Sequence, residues 1–360
     1  MKYYIITGES SGDLHASNLV KALRRRDTAA SFRAWGGDHL SAAGVEPVKH
    51  IRELAFMGFT EVLANIRTIL KNIAFCKEDI LAFAPDVLIL VDYPGFNMRI
   101  AEWAKKRGIK VVYYIVPQVW AWKQKRAYTL GKISDLVIAI LPFEQDFFKK
   151  FGVHVEYVGH PLLDAMADYS DVVVNPRRIA ILPGSRKMEI RNMLPVMLET
   201  AARFPELDFV VAGAPSVDRA YYRQFMGDHK VPIEFGRTYE ILAGSAAALV
   251  TSGTATLETG LLSIPEAVCY RGNRISYLLV MRLIKVKYIS LVNLILDRLL
   301  VNEFIQHELN ADRLEAELKD LLYNETRRTE LGEGYAELKN KLGGPGASDR
   351  VAELIFTRFA

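Results

Sequence analysis

Short runs of β-branched and leucine-rich residues recur along this 360-residue chain, each followed by small or polar residues and then a stretch of helical periodicity. In the first half the apolar runs fall at residues 3–7, 32–35, 87–91, 110–116, 136–141 and 155–158. In the second half they fall at 179–182, 209–212, 246–250 and 266–270. Unbroken apolar runs suit strands buried on both faces, and their alternation with helical segments predicts parallel sheets. The segment after residue 12 carries Leu14, Leu19, Val20 and Leu23 at helical spacing, and Val62, Leu63, Ile66, Ile69, Leu70 and Ile73 give a second helix one apolar face. An acidic linker, 168–175, separates the halves; charged helices follow Gln306, and Pro345-Gly346 introduces a last helix ending at Ala360. The expected fold is α/β: two Rossmann-like domains, 1–167 and 168–344, whose parallel sheets face a cleft. The terminal helix, 345–360, can return to the first domain.

Composition narrows the class. Half the residues are apolar, 24% are charged and the net charge is +4, which is globular and too mildly basic to argue for nucleic acid. Cys76 and Cys269 are few and far apart, as in a reducing cytosol, and form no disulfide or metal framework. The first residues enter a strand directly and do not read as a signal peptide. The greasiest segment, 276–301, contains Arg282, Lys285 and Lys287, each costing roughly 2.5–3.5 kcal/mol near a bilayer centre. It is not expected to span a membrane.

The chemistry concentrates where apolar runs end. Thr251-Ser252-Gly253-Thr254-Ala255-Thr256-Leu257-Glu258 reads as a strand-to-helix turn. Its small residues admit a ligand close to the backbone, and the N–H groups of the first helical turn point at an anion. Glu258, about one turn in, suits a ribose diol; the plainer reading is that Ser252 or Thr254 caps the helix. Pro183-Gly184-Ser185-Arg186 is a second such turn, with Arg186 able to grip phosphate at two points. Gly213 closes the neighbouring run. Two anion turns in one half point to a diphosphate ligand at the carboxyl ends of a parallel sheet.

The first half differs. Gly8-Glu9-Ser10-Ser11-Gly12-Asp13 is not the dinucleotide fingerprint, and its two carboxylates would repel pyrophosphate, so it is read as facing a neutral or acceptor group. Glu9 can equally bond nearby backbone. Asp92 ends the 87–91 run, where a carboxylate is well placed for chemistry or for capping. Trp120 and Trp122 can floor a sugar or acyl pocket, or pack in the core. His160 precedes a proline and reads as a turn residue or a ligand contact. The 62–73 face is core, or, with Arg67, Lys71 and Lys77 between its apolar residues, a lipid contact. No Asp-x-Asp or His/Cys grouping calls for a metal.

Taken in order, these motifs resemble the lipid-A-disaccharide synthases. The set includes Gly8 to Asp13, Met57-Gly58, Asp92-x-Pro94, Pro117-x-Val119-Trp120-Ala121-Trp122, Leu141-Pro142-Phe143-Glu144 and Val158-Gly159-His160-Pro161. It continues with Leu182 to Arg186, Ser252 to Glu258, and Asn293 with Glu303 and Gln306. The resemblance implies an inverting GT-B glycosyltransferase that uses a UDP-sugar as substrate and no cofactor or metal. The donor is UDP-2,3-diacylglucosamine and the acceptor 2,3-diacylglucosamine 1-phosphate, at the inner face of the cytoplasmic membrane; a homodimer is compatible with it. Asp92 and Glu9 are then the candidate catalytic carboxylates. Gly184, Ser185, Arg186, Gly213, Ser252, Gly253, Thr254, Ala255, Glu258, Asn293, Glu303 and Gln306 border the nucleotide. Met57, Phe59, Ile66, Ile69 and Trp120 meet the acceptor lipid. One departure stands out: many members carry a second aspartate three residues after Asp92, and here that residue is Gly95. The competing readings are a UDP-N-acetylglucosamine 2-epimerase, another GT-B enzyme, or a UDP-sugar-binding protein without turnover.

Overall fold

Val87–Val91 is an uninterrupted apolar run, and in the computed structural model all five residues are buried at the middle of a seven-stranded parallel sheet. The structure describes residues 1–54, 66–121, 123–166, 169, 172–272 and 287–360. They divide into two units, one of Met1–Ala165 with Gly343–Ala360, the other of Met166–Leu342.

The first unit holds β1 (Lys2–Ile6), β2 (Ser31–Gly36), β3 (Pro47–His50), β4 (Val87–Val91), β5 (Lys110–Tyr114), β6 (Leu136–Ala139) and β7 (Glu156–Tyr157), in the order β3-β2-β1-β4-β5-β6-β7. The β1–β4 register sets Ile5 beside Ile89. Alternate residues of β1 feed opposite cores. Tyr4 and Ile6 pack with Ile73, Cys76 and Ile80 of the helix Ile66–Phe83, while Tyr3 and Ile5 pack with Leu19, Val20 and Leu23 of the helix Ser10–Arg26. That second core also takes Val351, Ala352 and Ile355 from the C-terminal helix Ala347–Phe359.

The second unit holds β8 (Asn175–Leu182), β9 (Asp208–Gly213), β10 (Ile233–Phe235), β11 (Ser245–Thr251), β12 (Glu266–Tyr270) and β13 (Glu303–Ile305), in the order β10-β9-β8-β11-β12-β13. Every strand pairing described in both sheets is parallel. Each sheet reverses its strand order once, between β1 and β4 and between β8 and β11. At such a reversal the following helices leave on opposite faces, opening a crevice at the carboxyl ends of the two strands. Those four strand ends run into Gly8-Glu9, Asp92-Tyr93, Pro183-Gly184 and Ser252-Gly253.

Candidate active site

In the first unit the chain turns sharply after β4. Asp92 and Tyr93 both adopt left-handed backbone, with φ of 45° and 48°, before Pro94 starts the helix Pro94–Lys105. Each such residue costs on the order of 1–2 kcal/mol and persists only where its surroundings hold it. Here the hold is visible. The Tyr113 hydroxyl donates to the Asp92 carbonyl at 2.8 Å, and the buried Asn97 amide donates to the same oxygen at 2.9 Å and to Val91 O at 3.2 Å. The turn after β1 leans on the same corner: a Cβ on Gly8 would lie 2.3 Å from the Tyr93 ring, so only glycine fits.

This corner brings together the two carboxylates that the sequence singles out. Burial pushes the Asp92 carboxyl up to about 7, the neighbouring charge of Glu9 pushes in the same direction, and a backbone hydrogen bond from Tyr93 opposes both. Glu9 itself is the N-cap residue of the helix Ser10–Arg26, without a side-chain capping bond. Asp13 does not share the site. It is 1% exposed and accepts from the N–H groups of Gly37 (2.7 Å) and His39 (2.9 Å), fixing the turn after β2, so the loop presents one carboxylate rather than two. At Gly95 a Cβ would meet nothing within 4 Å.

Next to this corner, Trp120 is 8% exposed, with its indole N–H given to Glu144 at 3.0 Å and its ring edge-on to Phe143. It is nearly buried, with its one polar atom already in use. Glu144 also accepts from the N–H groups of Ile140 (3.2 Å) and Leu141 (3.0 Å). Burial pushes its carboxyl up and these three donors pull it back, with a small further push up from Asp92. His160 serves its turn, its Nδ1 accepting from Leu162 N at 3.2 Å.

Ile69 packs half-buried on the core, not outward as a lipid contact requires; its 3.6-residue spacing with Ile73, Cys76 and Ile80 puts it on the sheet side. The outward face of that helix instead shows Leu70 (54% exposed), Phe75 and Leu81 beside Arg67 and Lys71. Met57, Phe59 and Trp122 lie outside the described residues, as does the side chain of Ile66.

In the second unit the turn after β8 already carries an anion. Gly184 has φ of +113°, and the N–H groups of Ser185 (2.9 Å) and Arg186 (3.2 Å) both donate to one oxygen of Glu189, three residues into the helix Lys187–Ala201. The Arg186 guanidinium bonds the other oxygen at 3.1 Å. The donors expected to be open are thus engaged by a carboxylate that the sequence did not mark. Gly213 ends β9, where a Cβ would strike the Phe235 ring.

After β11 the helix Thr254–Leu261 begins at Gly253 with no side-chain cap; Ser252 instead donates its hydroxyl to Ile289 O at 2.8 Å. Gly253 and Thr254 are exposed and Ala255 half-exposed, so the first helical turn opens outward. The buried Thr251 hydroxyl has no partner among the described residues. Glu258 takes a 2.9 Å hydrogen bond from Tyr239 on one oxygen; burial raises its carboxyl and that bond opposes the rise.

Asn293 is fully buried and fully used. Its amide donates to Val301 O and Glu303 and accepts from Leu300 N and Val301 N, all between 2.8 and 3.0 Å. Glu303 accepts in addition from Ile289 N and Ser290 N. These two shape the wall; Asn293 has no capacity left for a ligand. Gln306 differs, with left-handed backbone (φ 56°) and a buried side-chain nitrogen that has no partner among the described residues.

Doubly wound parallel sheets in both units, with carboxylates at the reversal of one and anion turns at the reversal of the other, fit an enzyme that acts on a phosphate-bearing ligand held at strand ends. The fold is similar to a UDP-GlcNAc 2-epimerase from Neisseria meningitidis bound to UDP-GlcNAc (TM-score 0.69, 14% identity, 99% of this chain and 100% of that one). It is also similar to the glycotransferase of kitacinnamycin (TM-score 0.66, 14% identity, 100% and 97%). The lipid-A-disaccharide synthetase family matches residues 3–349, and the chain belongs to it. It is 39% identical to the lipid-A-disaccharide synthase of Syntrophus aciditrophicus over 369 residues, covering 98% of this chain and 96% of that protein. It is likewise 39% identical to that of Myxococcus xanthus over 366 residues, with the same coverage.

Proposed function

We infer that the chain joins UDP-2,3-diacylglucosamine to 2,3-diacylglucosamine 1-phosphate, forming a β(1→6) disaccharide and UDP. In a single displacement, the acceptor's 6-hydroxyl oxygen attacks C1 of the donor sugar as the bond from C1 to the UDP oxygen breaks, inverting that carbon. The hydroxyl proton passes to a carboxylate, and UDP leaves with the bonding pair. The observation that carries the assignment is the strained corner holding Asp92 beside Glu9: a carboxyl raised to about 7 can accept a proton at neutral pH without being permanently charged.

The second unit is assigned the nucleotide. The outward-facing helix start at Gly253 to Ala255 supplies donors for diphosphate, joined by Ser185 and Arg186 once the ligand displaces Glu189 from them, and charge developing on the leaving group is stabilised there. Glu258 offers its second oxygen to the ribose, and the Gln306 amide faces the same ligand. The acceptor's acyl chains are assigned to the first unit, with the outward face of the helix Ile66–Phe83 meeting the cytoplasmic leaflet. No helix among the described residues is long and apolar enough to cross a membrane.

The test is UDP release from the diacylated donor in detergent micelles, with and without the acceptor. Acceptor-dependent release with a disaccharide product is expected. Epimerisation of UDP-N-acetylglucosamine without any use of the lipid acceptor would replace the reading.

A further inference from the structure

Glu144 is 1% exposed, and a buried carboxylate costs several kcal/mol unless it is hydrogen-bonded. An apolar residue would pack the same space more cheaply, so the carboxylate's geometry needs another account. Its two oxygens face two different segments. Oε1 accepts from Trp120 Nε1 in the loop that follows β5, and Oε2 accepts from the N–H groups of Ile140 and Leu141 where β6 ends. β4, β5 and β6 are neighbours in the sheet, so these segments lie along the same carboxyl edge that carries Asp92. Phe143, one residue before Glu144, meets Trp120 at 90° with ring centroids 5.1 Å apart. The indole is therefore fixed in its plane by the ring and in its rotation by the carboxylate.

We propose that Glu144 is a positioning residue for the acceptor side of the reaction: by bridging the β5 and β6 loops it sets the indole of Trp120 as a wall against which the acceptor sugar is held. The proposal rests on the assignment of the acceptor to the first unit. An amide cannot replace this carboxylate, because both oxygens receive N–H donors and a glutamine would turn its own NH2 against one of them.

The experiment pairs Glu144→Gln with Trp120→Phe, which removes the donor and leaves the carboxylate in place. In each variant the KM for the lipid acceptor should rise about tenfold while the donor KM stays unchanged, and the double variant should be no worse than either single one. The indole N–H resonance of Trp120, assigned by its loss in Trp120→Phe, should move in Glu144→Gln. Additive effects, or an unmoved indole resonance, would overturn the bridge; unchanged acceptor KM in a wild-type-like background would overturn its role in positioning. A wild-type protein that releases UDP without regard to the acceptor would instead remove the reading on which the proposal stands. If Glu144→Gln does not fold, Glu144→Asp takes its place: it keeps the charge but shortens the reach, so it should raise the acceptor KM and move the indole resonance, and an unmoved resonance with unchanged acceptor KM would overturn the proposal.

Discussion

A carboxylate that is to take a proton must be neither too strong an acid nor permanently protonated, and Asp92 is held between those limits by burial and by Glu9. Asp92→Asn should lower turnover by roughly 10²–10⁴-fold with little change in UDP binding, read by steady-state kinetics and calorimetry. Activity should rise with pH through about 7, as the base loses its proton. Glu9→Gln removes a negative neighbour, which lets the Asp92 carboxyl fall, so the acid limb of the rate profile should move to lower pH. A limb that stays in place would mean that Glu9 does not face Asp92 in solution. Stability carries the opposite sign. Because the folded carboxyl lies above its ordinary 3.8, the contribution of this group is fully present at low pH and is lost as pH rises toward 7.

Turns and helices carry the next layer. Glu189 places a negative charge on the two N–H groups and the guanidinium assigned to diphosphate. Glu189→Gln keeps one acceptor for those donors and removes the charge, so UDP should bind several-fold more tightly by calorimetry. Arg186→Ala in the same assay should weaken it. On the helix Ile66–Phe83, Leu70→Ser with Leu81→Ser should reduce sedimentation with anionic vesicles and leave the melting temperature unchanged, since both side chains are more than half exposed. Unaltered vesicle binding would move the lipid contact elsewhere.

What could be read in advance follows the same division. The inner strands announced themselves because burial on two faces demands unbroken apolar runs, as in Val87–Val91. The outer strands β3, β10 and β13 did not, because a short strand at a sheet edge needs no such run. At the site, the glycines and carboxylates at strand ends were legible from residue type and position. The partners were not. That Asp13 turns inward to Gly37 and His39, that Asn97 and Tyr113 clamp Asp92, and that Asn293 is used up by its own wall depend on segments brought together only by folding. Of the apolar face read over residues 62–73, Ile69 and Ile73 pack on the sheet while Leu70 is exposed, because which residues look outward is set by the sheet the helix packs on.

For the molecule as a whole, the helix Ala347–Phe359 belongs to the first unit although it ends the chain. Asp164 accepts from Gly346 N and Ser348 N at its start, Arg350 donates to Val158 O at 2.6 Å, and Val351 and Ile355 fill the core against the helix Ser10–Arg26. Deleting residues 343–360 should strip amide-exchange protection from β1, β2 and the helix Ser10–Arg26, and leave β8 and β11 protected. Equal loss in both units would contradict the division of the core. The layout also dictates an order of events at the ribosome. The second unit is encoded without interruption, whereas the first needs residues 343–360 to complete its core, so the half with the proposed base can finish folding only after all of the other has been synthesised. A chain cut short before residue 343 would keep every residue of the second unit and leave the first, with Asp92, unfinished.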